Sequence, residues 1–400
     1  MQPELNILAF LRNFPPPNDG GAFVYNYQLF EELQRSGCKV TILSHSESKA
    51  QEADGIKVIP IRSIKTGRFV YQHSFKKLFD LIATILEMRK HLSYTRYDFI
   101  FSDAGYLQNL TVFIANLLTN IPVVGINMGE EINKIQQTTR LRSWLERWLL
   151  RTHCMNICIS NYTQDLLTAC GANQPSIIIF PLIEEKPTRD KPADRQFLVD
   201  TYNLNRDNLI VGFLGRHVPR KGLLTLIEAI ERLLYEKEQI VLLIAGQGSE
   251  TDRIKERIAR SDYCNQFKLV IVSSGELKDR FFNGIDVFAM PNYEEPITGD
   301  TEGFGIVFIE AAQFGTPVIG GNAGGVVEAI NNQYNGYLVD GRNADSIAEA
   351  IRLYCQNPSL RELHGQNGKE WAKQFMKVDP LAPLLEALRD KRIPKRGEKK

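Results

Sequence analysis

Short, nearly unbroken apolar runs recur along this 400-residue chain, separated by segments with helical spacing. Leu5–Leu11, Lys39–Leu43, Ile56–Ile61, Phe99–Phe101, Val123–Ile126, Ile157–Ile159 and Ile177–Phe180 read as strands. Helices are expected between them over 23–36, 73–92, 105–118, 138–152 and 161–169. A strand that is apolar at nearly every position must be covered on both faces, so the pattern specifies a parallel sheet between helical layers. The alternation breaks at Glu184–Asp207, where Pro187, Pro192 and many charges gather, a connection that runs into a short helix. It then restarts: strands at Leu209–Leu214, Ile240–Ala245, Lys268–Val272, Asp286–Met290, Pro317–Ile319 and Tyr337–Val339 alternate with helices over 222–237, 250–260, 276–283, 304–314 and 344–356.

Two α/β units of similar size follow, as the length alone suggests. The expected boundaries are 1–183 for an N-terminal acceptor-side domain and 184–358 for a donor domain. Helices over 359–390 are expected to cross the domain junction, and 391–400 is a basic tail. Ligands of such sheets bind beyond the carboxyl ends of the strands, so a cleft between two facing sheets is the expected site.

Composition excludes several classes. With 43% apolar and 24% charged residues and a net charge of +1, the chain is globular and carries no global field for nucleic acid. Its six cysteines (38, 154, 158, 170, 264 and 355) are scattered and are read as buried reduced thiols in a reducing cytosol. Met1-Gln2-Pro3-Glu4 is not read as a signal peptide. Residues 104–129 carry no charge, but Gln108, Asn109, Asn116, Asn120 and Pro122 interrupt them, so a buried helix and strand are expected rather than a membrane span. The expected location is cytoplasmic, with peripheral contact to the inner face of a membrane as an open question.

The chemistry-bearing residues cluster at strand ends in the second unit. Glu302-Gly303-Phe304-Gly305-Ile306 opens a helix that carries Glu310, and a Gly-flanked helix start offers unpaired amides to a phosphate. Gly215-Arg216 and Lys221-Gly222 follow the first strand of that unit; Arg216 supplies a planar fork of donors and Lys221 a point charge, a pair suited to a diphosphate or simply two surface cations. Gly246-Gln247-Gly248 and Gly320-Gly321-Asn322-Ala323-Gly324-Gly325 add two more amide-rich loops, and Gly20-Gly21 ends a Pro-rich turn in the first unit. Glu310 is the natural partner for ribose hydroxyls, and the assembly suggests a nucleoside diphosphate site. His217 is expected in solvent, and Trp148 and Trp371 in the core or at the junction.

These motifs, with Met290-Pro291 and Gly315-Thr316-Pro317-Val318-Ile319, are in an order and spacing that resembles family four of the retaining glycosyltransferases. The resemblance implies the GT-B fold, two facing Rossmann-like doubly wound domains with a cleft between them. It implies that Arg216 and Lys221 neutralise the diphosphate of a nucleotide-sugar donor. Glu302, with the backbone of Gly303, Phe304, Gly305 and Ile306, would hold the sugar and distal phosphate, Glu310 the ribose, and Gly20 and Gly21 would approach from the other domain. The implied reaction moves a sugar to a glycan or lipid-linked acceptor with retention, with no cofactor and no metal. A nucleotide-sugar epimerase of the same fold and a non-catalytic sugar-nucleotide-binding subunit are the alternatives.

Two positions depart from the family pattern. The loop Gly125-Ile126-Asn127-Met128-Gly129-Glu130-Glu131 places Asn127 or Met128 where relatives carry a His, so Asn127 or Glu130 substitutes in sugar binding or the segment is a structural turn. Pro181-Leu182 replaces an Asn-Gly. Finally, Arg62, Lys65, Arg68, Lys76, Lys77, Arg89 and Lys90 surround the amphipathic run Leu78–Leu86, and Arg140, Arg142, Arg147 and Arg151 form a second cluster. Such a surface suits anionic lipid, or is the solvated cationic face of helices packed on their sheet.

Overall fold

The computed structural model describes residues 4–11, 14, 21–44, 51–53, 55–61, 74–103, 105–135, 138–273, 275–376 and 380–390. The chain forms two compact units: Met1–Leu182 with Asp379–Lys400, and Ile183–Val378.

The first unit contains β1 (Asn6–Leu11), α1 (Gly21–Arg35), β2 (Lys39–Ser44), β3 (Gln51–Ala53), β4 (Ile56–Pro60), α2 (Ser74–Tyr94) and β5 (Phe99–Asp103). It continues with α3 (Tyr106–Ala115), β6 (Val123–Asn127), α4 (Glu130–Ile135), α5 (Arg140–Leu150), β7 (Met155–Cys158), α6 (Asn161–Ala169) and β8 (Ser176–Ile178). The sheet order is β3-β4-β2-β1-β5-β6-β7-β8, parallel except for β3, which pairs antiparallel with β4. The crossovers through α2, α3, α5 and α6 all step in one direction along the sheet, so right-handed connections put these helices in one layer, with α1 on the opposite face. Ile85, Met88 and Leu92 of α2 and Val112 and Ala115 of α3 bury against Leu8, Phe10 and Ile100 of the sheet.

The second unit contains α7 (Lys191–Tyr202), β9 (Leu209–Leu214), α8 (Leu223–Tyr235), β10 (Ile240–Ala245), α9 (Thr251–Ala259), β11 (Phe267–Val270), α10 (Glu276–Gly284) and β12 (Val287–Met290). Then come α11 (Ile306–Ala312), β13 (Val318–Gly321), α12 (Val326–Ala329), β14 (Gly336–Val339), α13 (Ala344–Gln356) and α14 (Pro358–Ala372). Its all-parallel sheet runs β11-β10-β9-β12-β13-β14. The chain steps outward from β9 to β10 and β11, then returns to the other side of β9 with β12, which makes the β9–β12 boundary a topological switch point. The last described helix, α15 (Ala382–Arg389), belongs to the first unit and buries Leu384, Leu385 and Leu388.

The helix expected in the Pro- and charge-rich connection is α7, 12 residues long, started by Pro192 and by Asp190, whose carboxylate accepts from the Ala193 amide. That helix packs on α10 and is part of the second unit. The short edge strand β3 and the one-turn helices α4 and α12 were not foreseen, because three to six residues carry too little periodicity to register. All six cysteines are free, but Cys264 is exposed; burial pushes the thiols of Cys154 and Cys158 up to about 12. Trp371 donates from its indole to the Ala329 carbonyl and is partly buried, whereas Trp148 lies 36% exposed rather than in the core.

Candidate functional site

The loops after β9 and β12 meet at the switch point of the second unit. After β9 the chain runs through the exposed Arg216 and buried His217 into a single 3-10 turn, Pro219–Lys221. Gly222 then starts α8 with φ 69°, and a Cβ there would lie 2.0 Å from the Pro291 carbonyl oxygen, so only glycine lets the β9 loop sit against the end of β12. Arg220 reinforces the junction, because its carbonyl accepts from the Tyr293 amide at 2.9 Å.

Four charged side chains converge there. Lys221 Nζ and an Arg220 terminal guanidinium nitrogen each donate to the same oxygen of Glu302, both at 2.5 Å. Arg220 Nε donates to Asp300 at 2.9 Å. Lys221 is 7% exposed and Arg220 6%. The alternative of a surface cation does not hold for Lys221, which is buried and tied to Glu302. Burial opposes ionisation of Glu302, but Lys221 and Arg220 together outweigh it and hold the carboxyl down to about 2. Burial draws Lys221 down to about 8; Glu302 supports its charge, while Arg220 and Arg216 oppose it.

Arg216 differs from its neighbours: it is exposed and makes no side-chain hydrogen bond or ion pair to the described residues. Its guanidinium is therefore available at the carboxyl edge of β9. His217, expected in solvent, is 1% exposed, with Nδ1 3.1 Å from the Thr251 hydroxyl. Gly246 and Gly248 pack directly on this loop, since a Cβ at either would lie 2.0 Å from the Gly215 carbonyl oxygen or 2.4 Å from that of His217.

Glu302 is fixed from the other side as well. The Gly325 amide donates to the Glu302 carbonyl at 2.8 Å, and a Cβ at Gly325 would fall 2.0 Å from the carbonyl oxygen of Gly303. Gly324 and Gly325, expected to offer amides to a phosphate, thus let the β13 loop lie on the backbone that carries Glu302. Gly305 caps α11 at φ 89°. Phe304 is 1% exposed and packs edge-on against Phe375 at 5.2 Å, so only its backbone faces the loop chemistry. Gly303 and Ile306 are partly exposed. Glu310 lies on α11 and accepts from Lys278 Nζ of α10 at 2.6 Å. Arg220, Asp300 and Lys278 were missed by sequence reasoning. Arg220 adjoins Lys221, and Asp300 lies two residues before Glu302, so a pair of neighbouring cations and a pair of neighbouring carboxylates were the available signal.

In the first unit, Gly20 lies outside the described residues and Gly21 is the exposed first residue of α1. Asn127 is fully buried, and its amide donates to the Asn156 side chain and the Ile157 carbonyl, each at 3.2 Å. Asn156 also meets His153 Nδ1 at 3.0 Å, and burial draws His153 down to about 4. Glu130 begins α4 and pairs with Lys134, while Glu131 accepts from the Met128 amide at 2.6 Å and ties the loop down. Asn127 is thus engaged by protein groups in this structure, and Glu130 is the more accessible of the two.

Comparison with known proteins agrees with this layout. Residues 194–371 match the family described as Glycosyl transferases group 1, and residues 19–184 match Glycosyltransferase Family 4. A GDP-mannose-dependent alpha-(1-6)-phosphatidylinositol monomannoside mannosyltransferase of Mycobacterium tuberculosis is 31% identical over 231 residues, 57% of this chain and 59% of that enzyme. The match therefore spans less than two thirds of that relative. A D-inositol 3-phosphate glycosyltransferase of Actinosynnema mirum is 24% identical over 89% of this chain and 88% of its own. Among solved structures, sucrose-phosphate synthase of Thermosynechococcus elongatus superposes with TM-score 0.80 at 21% identity, covering 96% of this chain and 98% of the other. Anabaena HepE in complex with UDP-glucose gives 0.76 at 19%, covering 96% and 99%. With a family match in each half and GT-B structures as neighbours along the whole length, the chain belongs to the family four, group 1 glycosyltransferases of GT-B fold.

Proposed function

We propose that the protein transfers a sugar from a nucleoside diphosphate donor to a glycan or lipid-linked acceptor, with retention and without a metal ion. The observation that carries this reading is the buried Lys221–Glu302–Arg220 cluster beside the exposed Arg216, at the switch point where α/β sheets bind ligands. Arg216 and Lys221 neutralise the diphosphate. Glu302 and the backbone from Gly303 to Ile306 hold the sugar and distal phosphate, and Glu310 exchanges Lys278 for ribose hydroxyls. The donor class is supported by HepE, solved with UDP-glucose, and by the mycobacterial relative, named for GDP-mannose. The latter also supports a lipid-linked acceptor.

In the reaction the bond from the anomeric carbon to the diphosphate oxygen breaks, and that oxygen takes the electron pair. Arg216 and Lys221 stabilise the developing charge; donors of this kind are worth roughly 10²–10³ in rate each. The acceptor hydroxyl bonds to the same face of the anomeric carbon and gives its proton to the departing phosphate oxygen.

The test is release of nucleoside diphosphate coupled to glycosylation, using a panel of nucleotide sugars and acceptors. An Arg216→Ala, Lys221→Ala double variant is expected to be inactive; full activity sinks the reading. Activity is expected to persist in excess chelator, and strict dependence on a divalent ion rejects the metal-free step. NMR of the product anomer decides retention.

A further inference from the structure

The helical layer of the first unit carries apolar side chains on its outward face. On α2, Phe79, Ile82 and Leu86 are 71%, 45% and 60% exposed, while the opposite side of the helix, Ile85, Met88 and Leu92, fills the core. On α5, Leu141 and Trp144 are 77% and 62% exposed, Trp148 is partly covered by the edge-on ring of Phe113 at 4.6 Å, and Leu149 and Leu150 point inward. Both outward sets have the spacing i, i+3, i+7, which lines up one helix face. Between α2 and α5 lies α3, which packs on both, and Leu117 and Leu118 just beyond its end are also exposed. A solvated helix normally turns polar residues outward, so α2 and α5, which do the reverse on either side of α3, form one apolar surface with Leu117 and Leu118.

Charge identifies what covers it. Exposed Arg89 and Lys90 close the row on α2, and exposed Arg140 opens the row on α5. Of the carboxylates on these two helices, Glu146 is buried and bonded to Arg142 at 2.6 Å, Glu87 lies 3.6 Å from His91, and Asp80 is half-buried. The segment 105–121, which includes α3, carries no charged residue. An apolar strip with tryptophans, edged by cations and lacking an outward carboxylate on α5, matches an anionic lipid surface, where the apolar side chains enter the headgroup boundary and the cations meet phosphate.

The geometry points to this face of α2, α3 and α5 as the surface by which the protein docks on an anionic bilayer, with Leu141 and Trp144 inserted. The docking extends the acceptor side of the proposed function and does not depend on the donor reading. No described helix is long and apolar enough to cross a membrane, so the contact is lateral.

The experiment is vesicle flotation of the full chain, without donor, on phosphatidylglycerol–phosphatidylcholine vesicles and on phosphatidylcholine alone. Binding is expected on the anionic vesicles, weakened by salt, with a blue shift of tryptophan emission. A Leu141→Ser, Trp144→Ser variant is expected to bind about tenfold or more weakly, while its thermal shift with nucleoside diphosphate, which reports the second unit, matches wild type. Absence of wild-type binding overturns the proposal, as does equal binding by the variant. Sedimentation showing a dimer that the variant dissolves, with no lipid binding, also overturns it and makes the face a protein interface. Loss of the nucleotide response with lipid binding intact would strike the donor reading alone.

Discussion

Replacing Glu302 by Gln removes the one carboxylate shared by two buried cations, and the size of the loss follows from the geometry. Glu302 is held from 4.5 down to about 2 by Lys221 and Arg220 against the opposing effect of burial. At 1.36 kcal/mol per tenfold change in acidity, that difference corresponds to about 3 kcal/mol at neutral pH. Breaking a buried ion pair by deleting one partner costs about 3–5 kcal/mol, so the two routes agree. For a unit of this size the melting temperature of the Glu302→Gln variant should fall by about 6–12 °C. Because the chain has two compact units, the transition to follow is the one that nucleoside diphosphate raises. The sign with pH is fixed: a depressed carboxyl contributes fully above 4.5, and the contribution is lost as pH falls toward 2. Calorimetry of wild type and variant should therefore show a gap that narrows from pH 7 to pH 3. In the variant, nucleoside diphosphate should restore part of the lost stability by supplying the missing negative charge. A drop below about 2 °C at pH 7, or a gap independent of pH, would refute the reasoning.

Other outcomes follow from the same contacts. Arg216→Ala should change stability by less than about 0.5 kcal/mol, because the side chain has no partner to lose among the described residues, yet should weaken nucleoside diphosphate binding at least tenfold by calorimetric titration. Lys221 is drawn to about 8 in the free protein, and a bound diphosphate favours its charged form. Affinity should then fall as pH rises above 8, with proton uptake on binding near that pH; a flat profile from pH 7 to 9.5 argues that Lys221 does not meet the phosphate. Lys278→Met frees Glu310 from a partly exposed pair, so stability should move by less than about 1 kcal/mol. Nucleotide affinity should hold or rise, while Glu310→Gln lowers it.

The fold was legible because nearly every core strand is apolar at successive positions, and a run such as Ile240–Ala245 admits little but a doubly covered parallel strand. The switch point followed from sheet order, which one-dimensional periodicity does not encode. At the site, Arg216 and Glu302 were readable from glycine-flanked strand ends. The environment of Lys221 was not, because its burial depends on Arg220, Asp300 and Glu302 meeting across about 80 residues of chain. The glycines of the β13 loop were read as ligand amides although their closest neighbour is the backbone of Glu302 and Gly303. Glycine signals a close approach without saying what approaches. Trp148 was misplaced because a helix that faces its apolar side outward has the same periodicity as one that faces it inward.

Lys221 and Arg220 spend the resting state on Glu302. Paired in this way, the cluster presents little net positive charge beyond Arg216. A lone phosphate has to compete with a carboxylate already seated at 2.5 Å and brings no second group to cover the loss. In the proposed donor complex a nucleoside diphosphate meets Arg216, Lys221 and Glu310 at once, and each broken contact is compensated by a new one. On that reading self-neutralisation is a threshold: a small anion gains too little to open the pair, and a ligand long enough to bridge the separated charges gains enough.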